Sequence, residues 1–115
     1  MPLFEVGGRM FTVNGIEWDL SLVEPYSGNL KRSDNTITLG VTDNNAKTIY
    51  INNRLSDVMF DKVLLHELCH VHAMEYNYSI PIEVEEIVCD FLSIYGRNII
   101  YIADEIIDKT LKNIV

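Results

Sequence analysis

Apolar and polar positions alternate through residues 9–24. Phe11 and Val13 stand against Met10, Thr12 and Asn14, and then Ile16, Trp18, Leu20 and Leu22 against Glu17, Asp19 and Ser21. A period of two marks strands that bury one face. Between the two runs, Asn14-Gly15 supplies the positive φ angles of a tight two-residue turn, so a β-hairpin is predicted. A turn cluster at 24–29 and a polar loop to Asn35 follow. The β-branched runs 36–41 and 48–52, joined by the turn-rich segment 42–47, then predict a second hairpin. Together the hairpins make a small, mainly antiparallel sheet, and the 48–52 strand is expected beside a cleft with an edge open to an extended peptide.

The period then lengthens. Ser56 or Asp57 can cap a helix that runs to about Tyr76, with Phe60, Leu64, Leu68 and Val71 on one side and His66 and His70 roughly opposite. Pro81 opens a second helix through about Asn98, whose apolar stripe is Val84, Ile87, Val88, Phe91 and Tyr95. Gly96 can bend or cap it, and a helical spacing resumes from 99 to 114 through Ile102, Ile106 and Leu111. Strands followed by helices in one short chain predict an α+β fold, with no internal repeat or low-complexity tract.

The chain has 115 residues and a net charge of -8, which fits a single domain spanning 1–115 and disfavours nucleic acid as a partner. Met1 to Glu5 offer no basic leader, and no apolar run approaches the ~20 residues that span a bilayer. Cys69 and Cys89 fall inside helical patterns and not at the loop spacings of a disulfide framework, so reduced thiols and a cytoplasmic location are expected.

The chemistry sits in His66-Glu67-Leu68-Cys69-His70. Side chains at i and i+4 share one helical face, so both imidazoles can bind one ion, and Glu67 projects beside it to take a proton from water. A hydrolytic zinc site needs a third protein ligand. Glu83, Glu85, Glu86 and Asp90 are the candidates. Glu85 stands about 100° from the centre of the apolar stripe and Glu86 nearly opposite, which makes Glu85 the better-placed ligand. The competing arrangement has Glu86 as ligand with Asp90 orienting a histidine. His72 lies about 200° round the helix from His70 and points away. Cys69 reads as a small buried hydrophobe. Cys89, one turn after Glu85, can flank the ion but would favour a closed, structural site. Tyr26, Tyr50 and Tyr101 are candidate oxyanion donors.

The strand at 48–52, the run from Val63 to His70 and the run from Val84 to Phe91 resemble the small phage- and mobile-element-encoded zincins of the ImmA/IrrE metallopeptidase family, over about residues 36–98. The resemblance implies a minimal zincin fold, one zinc ion, and hydrolysis of peptide bonds in a protein partner such as a phage or mobile-element regulator, inside a host cell. In that family the third ligand is a glutamate on the next helix, a few residues before an aromatic. The matching position is Glu85 ahead of Phe91. The reading from sequence is therefore a zinc metallopeptidase with His66, His70 and Glu85 as ligands and Glu67 as general base. Its alternatives are a catalytically silent zincin-like binding module and a small-molecule amide hydrolase. Substrate and oligomeric state are not written in the sequence.

Overall fold

The computed structural model describes residues 9–114. The expectations for Met1 to Glu5 lie outside them. Four strands, β1 (Arg9–Val13), β2 (Ile16–Val23), β3 (Gly40–Asp43) and β4 (Thr48–Asn52), precede two helices, α1 (Asp57–Glu75) and α2 (Ile82–Ile114). No helix among the described residues is long and apolar enough to cross a membrane.

The sheet order is β1-β2-β4-β3. Both hairpins form: β1 pairs antiparallel with β2 around Asn14 (φ 50°) and Gly15 (φ 79°), and β3 pairs antiparallel with β4. The two hairpins join through a parallel pairing of β2 with β4, which makes the sheet mixed. The connecting loop, with a short 3-10 turn at Gly28–Leu30, brings the chain back so that β3 takes the outer edge and β4 the interior. The expectation of a free edge on the 48–52 strand is thus corrected. β3 itself begins later than the β-branched run predicts, because Thr36 turns back on Asp34 and Ile37 pairs with Lys31 instead of with β4.

The register sets Leu20 opposite Ile49 and Leu22 opposite Ile51. Leu20, Ile49 and Ile51 form the core with Val13, Trp18 and Val71 of α1, and Leu22, Phe60, Val63, Leu64, Leu68 and Met74 pack against it. Fully burying each such side chain contributes about 1.5–3 kcal/mol, which makes this layer the main source of stability. Ser56 caps α1 by accepting from the Met59 N–H at 3.2 Å. At the other end Asn77 (φ 52°) closes the helix, with Tyr78 N–H donating to Ala73 O and Asn77 N–H to Met74 O. Polar contacts fix that end against the sheet. The Trp18 indole N–H donates to Glu75 at 2.6 Å, Lys47 reaches the same oxygen at 2.9 Å, and the Asn14 amide donates to Glu75 O.

α2 is one continuous helix of 33 residues, so Gly96 does not cap it. At ~1.5 Å per residue it is about 50 Å long, close to the 54 Å long axis of the molecule. It packs mainly on α1, and the face it turns inward is not the apolar stripe. Cys89, Ser93 and Gly96 are its buried positions, whereas Val84, Ile87, Val88, Phe91 and Tyr95 are exposed. Cys89, Ser93 and Gly96 are small residues, so the packing face has little hydrophobic weight. Arg97 of α2 clamps Asp61 of α1 through Nε at 2.9 Å and Nη2 at 2.5 Å, which holds the carboxyl below the usual carboxylate range by hydrogen bonding and charge.

Candidate metal centre and cleft

The helical spacing does what the sequence predicts for the histidines. His66 and His70 stand edge to face with ring centroids 4.9 Å apart, and their Nε2 atoms are 3.2 Å from one another. Across from them the first turns of α2 supply three carboxylates. Glu86 Oε1 lies 3.4 Å from Nε2 of His66 and in direct contact with Nε2 of His70. Glu85 Oε2 instead meets the other nitrogen of His70, Nδ1, at 2.5 Å. Asp90 Oδ1 meets Nδ1 of His66 at 2.9 Å.

Two donors that each bond a zinc ion at ~2.0–2.1 Å in a tetrahedral shell are held roughly 3.3 Å apart. The Nε2 pair and the His66–Glu86 pair have that separation, whereas Glu86 touches Nε2 of His70 and would have to draw back for the two rings and Glu86 to share one ion. Glu85 and Asp90 stand on the far nitrogens, where a carboxylate fixes the ring and its tautomer. The geometry therefore departs from the preference for Glu85, and the cause lies in the orientation of α2. The wheel took Val84, Val88, Phe91 and Tyr95 as buried. They face outward, and the helix is turned so that Glu86 aims between the histidines.

Cys89 adds a fourth group. Its Sγ and nitrogens of His66 and His70 lie within 4.8 Å of one another. The thiol is buried, and burial first, then the neighbouring Cys69 thiol and the charges of Glu85 and Glu86, raise its pKa well above the ordinary thiol range. Cys69 and Cys89 are both free cysteines. His72 points away as expected, its Nδ1 against Leu68 O at 2.8 Å and its ring stacked on Tyr76.

Glu67 is nearly buried at 7% exposure. The Thr42 hydroxyl of β3 lies 2.8 Å from Glu67 Oε1 and 3.2 Å from the Glu67 backbone oxygen. Gly40 lets the strand come this close: a Cβ there would stand 2.6 Å from Val63 Cγ1 and 3.2 Å from Glu67 Cγ. Sequence reasoning missed both Thr42 and Gly40, because their roles depend on how β3 meets α1. A glycine inside the predicted 36–41 strand was the one signal available.

His66, Glu67, His70, Glu85, Glu86 and Thr42 line an open cleft of about 520 Å³ whose walls are β3, α1, the start of α2 and the loop carrying Lys31, Arg32 and Ser33. Lys31 and Arg32 bring two cationic residues to a cleft that also holds the carboxylates of Glu67, Glu85 and Glu86. Tyr26, Tyr50 and Tyr101 do not line it. The edge strand at the cleft is β3, through Gly40, Val41 and Thr42.

The sequence model of one family, the IrrE N-terminal-like domain, described as a peptidase family, matches residues 25–107. No curated protein and no solved structure matches the chain.

Proposed function

The chain belongs to the IrrE N-terminal-like domain family, and from that premise we propose that it is a zinc-dependent endopeptidase acting on an extended segment of a protein partner. One observation carries the reading. Two Nε2 atoms stand at a separation suited to one ion and the Glu86 carboxylate reaches both, with Glu67 in the same cleft.

His66, His70 and Glu86 would hold a zinc ion, which would supply the Lewis acidity that makes water a nucleophile at neutral pH. Glu67 accepts the proton as water oxygen bonds to the scissile carbonyl carbon, and delivers it to the amide nitrogen as the C–N bond breaks. The Thr42 hydroxyl holds the Glu67 carboxylate in place for both transfers. Lys31 and Arg32 bring positive charge to the wall of the cleft, where it favours the negative oxygen of the tetrahedral intermediate. The free edge of β3 can pair with the substrate backbone, so the substrate is a peptide in extended form.

The test is a zinc-loaded protein incubated with a diverse peptide pool, with new termini read by mass spectrometry. Cleavage by the wild type, lost in Glu67→Gln at full zinc content, supports the proposal. A wild type that holds stoichiometric zinc yet produces no new termini would favour the binding-module reading instead.

A further inference from the structure

The outward face of α2 is apolar along most of its length. Val84, Val88, Phe91, Tyr95, Ile99, Ile102 and Ile106 are each roughly half-exposed, with Ile87 and Ile94 at the margin. At ~100° per residue these positions lie within one sector, opposite the Cys89, Ser93 and Gly96 face that meets α1. Their steps run four, three, four, four, three, four, so the pattern repeats after eleven residues. It stays in phase along the helix instead of winding round it.

That sequence of steps reads the same in both directions about Tyr95. An antiparallel copy of the helix, related by a twofold axis at Tyr95, sets Val84 against Ile106, Val88 against Ile102, Phe91 against Ile99 and Tyr95 against itself. A surface that is its own complement under a twofold is what an isologous interface requires. The face offers on the order of 800 Å² of exposed surface, the per-partner area of a standard stable interface. It is also larger than the apolar patch of a few hundred Å² that a monomer ordinarily leaves in water.

We propose that this face of α2 is a homodimer interface, an antiparallel helix pair centred on Tyr95 that leaves the metal-side carboxylates on the opposite face free. The assignment is independent of what the cleft binds or cleaves.

Sedimentation of the full chain at micromolar concentration is expected to give about twice the 13.2 kDa chain mass. The double variant Ile99→Glu/Ile102→Glu should sediment as a monomer with unchanged helical circular dichroism. Ile107→Glu, on the line that continues the α1-facing side, should remain dimeric. Under mild oxidation Tyr95→Cys should cross-link into a covalent dimer that the wild type does not form. Val84→Cys should cross-link only when combined with Ile106→Cys. A monomeric wild type, or a dimer dissolved by Ile107→Glu and untouched by the double variant, overturns the proposal. Cross-linking through Val84→Cys alone overturns the antiparallel register.

Discussion

The Glu85 carboxylate lies 2.5 Å from Nδ1 of His70. That contact fixes the ring so that its Nε2 faces Glu86 and His66, and it makes neighbouring glutamates unequal. Glu86→Gln removes a charged donor from the point shared by both rings, and Glu85→Gln removes the group that orients one ring. Loss of an orienting partner typically costs 10–100-fold in metal affinity. Titration with a zinc-competing dye should show Glu86→Gln failing to hold zinc at stoichiometry. Glu85→Gln should retain the ion with a dissociation constant raised by roughly that factor. The reverse order would return the ligand role to Glu85.

Thr42 and Glu67 give a second prediction. A hydrogen bond to a charged group contributes about 1.5–3 kcal/mol, so Thr42→Val should slow peptide cleavage by roughly 10-fold or more. Zinc content should be unchanged, because Thr42 touches no candidate ligand. Cleavage at the wild-type rate would remove Thr42 from the mechanism.

Gly40 is required by steric fit. Gly40→Ala drives a methyl into Val63 at 2.6 Å, and overpacking of this kind costs about 1–3 kcal/mol. Urea unfolding should show that loss, and Gly40→Ala/Val63→Ala should lose less than the two single changes added together.

Acid stability depends in part on Glu75, whose pKa is held below the ordinary glutamate value by the Lys47 ammonium and then by the Trp18 indole. A group with a depressed folded-state pKa contributes its stability above the unfolded-state value, and that contribution is lost as pH falls through the folded-state value. The wild type should therefore lose stability on acidification below about pH 4.5, the value for an unperturbed glutamate. Glu75→Gln should start less stable at neutral pH and show a flatter acid limb. Tryptophan fluorescence of the buried Trp18 during chemical unfolding at several pH values is the readout.

Much of the fold was readable along the chain. The Asn14-Gly15 turn, the Ser56 cap, the restart at Pro81 and the phase of His66 against His70 are local, since each depends on residues within one turn or one hairpin. The parallel pairing of β2 with β4 was not readable, because it depends on how the loop 24–39 folds back. Nor was the rotation of α2. Hydrophobic periodicity names the apolar side of a helix but does not say whether that side meets the core or another molecule.

By itself the sequence determined the two hairpins, the starts of both helices, the imidazole pair with its intervening carboxylate, and a short list of acidic partners, because backbone geometry converts spacing directly into direction. Tertiary structure alone decided which glutamate reaches the shared Nε2 point, that Thr42 holds Glu67, and that the apolar stripe of α2 faces outward. Those outcomes depend on which face of α2 meets α1 and on the close approach that Gly40 allows between strand and helix. That approach is set by the absence of a side chain, which no count of hydrophobic positions registers.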